Sequence, residues 1–425
     1  MRRQLTEPRP ARPRGTGRPR GVSSVIPASD QVARTLRPVS VIPDIPYLRR
    51  GEGERRATYF ELFFDLIYVF AITQLSHHLL QDLSWAGAAE TLFLLLAVYW
   101  AWNYTTWMTN WFDPETVAVR LTLVFVMLAS LLMAVAIPEG FGERAGLFAA
   151  SYCALQVVRN GFVVAVTPPG PFHRNFLQIL TWSVLSVPLW ILGAVMEDRA
   201  RWILWVAALG VDLAAPLIRY WLPGWGRTPL SEWQIDPGHF SERFQLFVII
   251  VLGESIVITG STASGADLTT EVVAALGFAL LSSVGLWWLY FGSLTTTAVR
   301  RIAADEIPGQ LGRDAYTYLH IPIVAGVLLA SVGDELVIAH PGDELEVAGA
   351  LVALGGPALF IVGLMAFGAR VGRHRAWTST IAVVGLLAFI PVASRLSGLV
   401  VAAIVTAVLT SLATADHLQE ARSRT

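Results

Sequence analysis

The sequence predicts an all-α integral membrane protein with about twelve transmembrane helices, arranged as two parallel six-helix repeats. Three observations carry that expectation. First, 54% of the 425 residues are hydrophobic and only 15% charged, with a mean hydropathy of +0.55; a soluble domain is about one quarter charged. Second, the apolar residues come in blocks of roughly twenty, the length that crosses a hydrocarbon core. Third, all 31 basic residues are arginine, 13 of them within residues 1–56, and the others are unevenly shared between alternate connections.

Residues 1–48 alternate arginine with proline, as in Arg9-Pro10-Ala11-Arg12-Pro13-Arg14. Without an apolar h-region this stretch reads as a disordered cytoplasmic tail and not as a secretory signal. Attachment to anionic lipid is the minor alternative. Basic residues without interleaved aromatics do not specify nucleic acid, and none is expected as a partner.

The first membrane half, 57–220, holds spans at 58–80, 86–109, 120–138, 144–166, 174–196 and 201–220. An amphipathic connection at 221–240 follows, its Trp221, Trp225 and Trp233 expected along the inner surface. The second half, 241–415, holds spans at 241–260, 270–298, 313–333, 345–367, 376–394 and 396–415, before a cytoplasmic tail at 416–425. The eighth is long enough to tilt or to leave the membrane. With the N-terminus inside, 26 arginines fall on the inner side, Arg144, Arg199, Arg201 and Arg395 fall outside, and Arg159 lies within a span. The positive-inside rule then places both termini in the cytoplasm. Asp334, Glu335, Asp343, Glu344 and Glu346 gather in the outer connection 334–346, which reads as a solvated face.

A shift of 181 residues aligns Glu61-Leu-Phe63 with Glu242-Arg-Phe244, each opening a span. With gaps, Val-Met-Leu-Ala-Ser130 finds Val-Leu-Leu-Ala-Ser331. Six is even, so two such halves share one orientation, and a central site would lie between them.

Four acids within spans are the candidates for an ion or substrate pathway: Glu61, Asp65, Asp212 and Glu254. A charge at membrane depth costs roughly 2.5–3.5 kcal/mol on insertion scales, so these side chains should face protein or water. Glu61 and Asp65 share one helix stripe with Tyr68, Ile72 and Ser76. The structural alternative is neutralisation by a buried arginine, for which Arg159 is the obvious partner, also for Asp212. Glu242 suits the first turn of the seventh span, where Ser241 or His239 would cap, and it joins Arg243 among the structural pairing candidates. Glu254, between Gly253 and Ser255, lies deepest and is the leading single candidate. His77, His78 and His320 are interfacial residues or pH sensors. The tryptophans of Tyr99-Trp-Ala-Trp-Asn-Tyr-Thr-Thr-Trp-Met-Thr-Asn-Trp111 read as an aromatic belt, with Asn103 free to bond across helices.

Four stretches resemble the bacterial low temperature requirement A (LtrA) family: Glu61-Leu-Phe-Phe-Asp-Leu66 continuing to Ser76-His77; Trp102-Asn-Tyr104 through Trp111-Phe-Asp113; Arg174-Asn-Phe176; and Glu242-Arg-Phe-Gln-Leu-Phe-Val-Ile-Ile-Val-Leu-Gly-Glu-Ser255. The resemblance runs in order over most of residues 45–415. Gln245 and the Arg-Pro tail depart from it. It implies a polytopic bacterial plasma-membrane protein and little chemistry, because the family name records a growth phenotype.

No H-E-x-x-H, Walker A or dinucleotide fingerprint is present, and Cys153 is the single cysteine, so no cofactor or metal is expected. The leading function is a transporter or channel for a small ion or molecule, with the lipid bilayer as surroundings. A sensor or scaffold is the first alternative, and a lipid-modifying enzyme the second.

Overall fold

The computed structural model describes residues 45–49, 56–373 and 377–424. The Arg/Pro tail lies outside the described residues up to residue 44. Fourteen α-helices follow among those described, with no strand. In the first half these are α1 (Tyr59–Gln81), α2 (Trp85–Trp111), α3 (Val117–Ala136), α4 (Ala145–Val166), α5 (Pro171–Val195) and α6 (Asp198–Leu217). In the second they are α7 (Pro237–Ser264), α8 (Thr270–Phe291), α9 (Ser293–Ala303), α10 (Pro308–Leu311), α11 (His320–Ala339), α12 (Val347–Arg370), α13 (Trp377–Ala393) and α14 (Gly398–Arg424).

Eleven segments among the described residues are long and apolar enough to cross a membrane. The twelfth expected span, 376–394, forms α13, a shorter apolar helix of 17 residues.

Local chemistry sets the helix starts. Thr58 and Glu61 form a reciprocal capping box on α1. Ser84 and Thr269 cap α2 and α8. Asp236 caps α7, with Pro237 at its first position, so His239 and Ser241 lie inside the helix and not at its cap.

Three further expectations change. The eighth span breaks at Gly292, after which the arginine-bearing α9 follows as a separate helix. Asp334 and Glu335 belong to α11 and not to a connection, because the apolar pattern of that helix runs on to Ala339. Residues 416–424 continue α14 as helix.

Within the first half α1 packs on α2 and α3, α3 on α4, and α4 on α5; within the second α7 packs on α8 and α11, α11 on α12, and α12 on α13. The central contact between the halves is α1 against α7. Glycines bring α11 and α12 closest: a Cβ on Gly326 would lie 2.4 Å from the backbone nitrogen of Phe360, and one on Gly356 would lie 2.4 Å from that of Ala330. Small residues let helix backbones approach where lipid supplies no hydrophobic drive.

Candidate functional site: the α1–α7 seam

Glu61 and Asp65 are one helix turn apart on α1, and His239 and Arg243 are one turn apart on α7. Both pairs meet across the seam at the same sequence separation of 178. Asp65 is fully buried and accepts two hydrogen bonds from Arg243, at 2.6 and 2.7 Å, and a third from the Trp102 indole at 2.9 Å. That set satisfies both carboxylate oxygens in the fork geometry arginine favours. Glu61 is 2.9 Å from His239 Nε2 through one oxygen. Its other oxygen accepts from Arg49 at 2.7 Å and from the backbone N–H and hydroxyl of Thr58.

Glu242 reaches the opposite way. Its carboxylate accepts the backbone N–H of Ala57 at 2.8 Å, just ahead of α1, instead of serving its own helix. Each half thus supplies a glutamate to the other near the start of its first helix.

The partner expected for these acids, Arg159, is elsewhere. Fully buried on α4, it donates to the Ala101 carbonyl, Thr105, Asn160 and Gln156, with its guanidinium 5.1 Å from the Tyr104 ring. Asp212 accepts from Tyr152 at 2.9 Å and from the Trp190 indole at 3.1 Å. It connects to Arg159 only through neutral groups: Gln156 donates to the Tyr152 hydroxyl and accepts from Arg159. Asp212 therefore belongs to a network inside the first half, away from the seam.

Toward the middle of the seam the polar groups give way to rings. Trp102 stacks on Phe247 at 4.0 Å between centroids, and Tyr68 and Tyr99 close around Phe247. Tyr68 shares a 3.0 Å hydrogen bond with Ser130. Trp100 and Trp102 are fully buried here, so these two form core and not an interfacial belt. Trp233 is likewise buried, unlike the exposed Trp221 and Trp225. Asn103 does bond across helices, accepting from Thr317 at 3.1 Å.

Beyond the rings lies Glu254, 2% exposed, with Thr73 of α1 near its carboxylate, although that hydroxyl donates to the Val69 carbonyl at 3.1 Å. Its Oε1 has no partner. The seam then opens into a pocket lined by His77, Ile258, Thr262, Glu335 and His340, among others. Ile258 is one turn beyond Glu254 on α7, and His77 one turn beyond Thr73 on α1, so Glu254 sits about 6 Å beneath that opening.

Neither His78 nor His320 lines that pocket. His78 is 3.4 Å from Glu90. His320 is buried, hydrogen-bonded to Tyr290 at 2.8 Å and stacked on Tyr316, which is the arrangement of a core histidine. Among the described residues no three His, Cys, Asp or Glu side chains group as a metal site.

Residues 56–414 match the family described as bacterial low temperature requirement A protein. The chain belongs to that family. It is also similar to an uncharacterized protein of Rhizobium meliloti (strain 1021), 37% identical over 319 residues, which cover 75% of this chain and 78% of the relative. No solved structure matches. In this member of the low temperature requirement A family, the specific first and last motifs of the resemblance prove to be the two faces of the seam. His239 and Arg49 are the site residues the sequence reading missed as partners of Glu61. For His239 a signal existed, since His239 and Arg243 repeat the four-residue spacing of Glu61 and Asp65.

Proposed function

We propose that this membrane protein is a transporter that moves protons or a small monovalent cation along the α1–α7 seam, with Glu254 as the residue that takes up the cation. The observation that supports this most is the contrast between two buried carboxylates on one seam. Asp65 has a guanidinium and an indole on its oxygens. Glu254 has no ion pair among the described residues, an Oε1 with no partner, and an open pocket one turn away. A buried carboxylate without a countercharge is costly unless it takes up a proton or a cation.

The rings around Phe247 separate Glu254 from the Asp65–Arg243 pair, so passage requires the halves to rearrange. That suits alternating access more than an open channel. The matching neighbour relations of α1–α5 and of α7, α8 and α11–α13, with the exchange of Glu61 and Glu242 between halves, favour two parallel repeats rocking about the seam. The arginine distribution favours cytoplasmic termini, and with them a pocket of His77 and Glu335 that faces outward. The reading is one of transport and not of catalysis.

Reconstitution of the full chain in liposomes tests it. Flux of protons, sodium or potassium above empty vesicles is expected. Vesicles no leakier than protein-free ones would overturn the transport reading and leave a membrane sensor or scaffold in its place.

A further inference from the structure

A second cavity lies at the end of the bundle where α1 and α7 begin; its inner space is about 40 Å³, and the space including its open mouth is about 520 Å³. It sits beside the seam and takes no part in the transport reading. Rings of Trp107, Tyr220 and Trp233 line it, with Asn103, Asn175 and Arg313 among the polar residues.

Two of these residues hold polar groups that the fold leaves unmatched. Asn175, near the start of α5, is 2% exposed, and neither its Nδ2 nor its Oδ1 has a partner. Trp233, 5% exposed, has an indole N–H with no acceptor. Buried polar groups are nearly always satisfied, and a donor–acceptor pair beside a lone donor calls for a complement.

The charge of the cavity narrows what that complement is. No carboxylate lines it. Its one cation, Arg313, already donates to Asp314 at 2.6 and 2.8 Å and to the Pro216 carbonyl at 3.0 Å. Its guanidinium also lies 5.7 Å from the Trp233 ring. A cationic ligand would find no carboxylate on the lining, and an anion would compete with Asp314 for a guanidinium already engaged. A flat uncharged ring suits the indole and phenol walls, and an amide edge supplies what a carboxamide lacks.

We propose that this cavity binds a neutral, planar ring carrying a carboxamide or lactam edge. The edge pairs with Asn175, a carbonyl or ring nitrogen accepts the Trp233 N–H, and the ring lies among the aromatic side chains.

The test uses the full-length protein in detergent and three probes of one size: benzamide, benzoate and phenyltrimethylammonium. Each is titrated by calorimetry and by quenching of tryptophan fluorescence. Saturable benzamide binding is expected, at least about tenfold tighter than that of either charged probe, as one well-made buried hydrogen bond allows. Asn175→Leu should weaken benzamide binding about tenfold while its melting temperature holds or rises, because an unmatched amide has been removed. Trp233→Phe, which removes the N–H donor together with part of the indole wall, should weaken it severalfold and decides the matter if the leucine variant fails to fold. Absence of saturable benzamide binding (a cavity filled by water alone), preference for a charged probe, or unaltered binding in the folded variants would overturn the proposal.

Discussion

Arg243 holds Asp65 through two hydrogen bonds of 2.6 and 2.7 Å, with both side chains excluded from solvent. This pair joins the first helix of one half to the first helix of the other. Breaking a buried pair by removing one partner typically costs about 3–5 kcal/mol, because the remaining charge is left uncompensated. Arg243→Met alone should therefore lower the melting temperature of the purified protein sharply. Asp65→Leu combined with Arg243→Met should recover most of that loss, since an apolar pair of similar volume replaces a desolvated one. A double variant as unstable as the single would show that the pair is not coupled in this way.

The α11–α12 crossing makes a separate prediction about packing. A methyl group on Gly326 meets the backbone of Phe360, which cannot rotate aside as a flexible side chain would. Gly326→Ala should destabilise by roughly 1–3 kcal/mol, the usual cost of overpacking. Gly385, with nothing within 4 Å of its would-be Cβ, is the control. Gly385→Ala should leave the melting temperature unchanged or raise it slightly, because alanine is the better helix former.

The pocket above Glu254 predicts an effect on rate. Glu335 lines it, with His77 near enough to act on its charge. A charge at a mouth acts mainly on encounter with an ion. Glu335→Gln should slow cation uptake about threefold at low ionic strength and hardly at all at high salt. An equal loss at both would mean that Glu335 acts in the pathway itself.

Much of this arrangement was legible in the sequence. The helical class, most span boundaries to within a few residues and the shared stripe of Glu61 and Asp65 follow from hydropathy and from 3.6-residue periodicity; the spans expected at 270–298, 313–333 and 396–415 differ by more. Partner choice did not follow. Arg159 is the arginine most evidently inside a span, yet its neighbours supply neutral oxygens. Arg243 is a pairing candidate in the sequence without an evident partner; α7 begins at Pro237 and carries it inward to Asp65. Periodicity places a side chain on a face and does not say which face of which neighbour it meets. The tryptophans misled for a related reason. A cluster near a span end has the composition of an interfacial belt, and only the packing of α7 against α2 buries Trp102 on Phe247. Asn175 and Trp233 lie 58 residues apart in sequence, so nothing local announces that they line one cavity.

Glu254→Gln, compared with the unaltered protein in the same liposome preparation, tests the central claim most directly. The substitution keeps size and hydrogen-bonding capacity and removes the ability to release a proton or pair with a cation. The account predicts a variant that inserts and melts like the parent while its proton or cation flux falls to the level of empty vesicles. Flux undiminished in a correctly inserted Glu254→Gln protein would contradict it, and would place the pathway away from the α1–α7 seam.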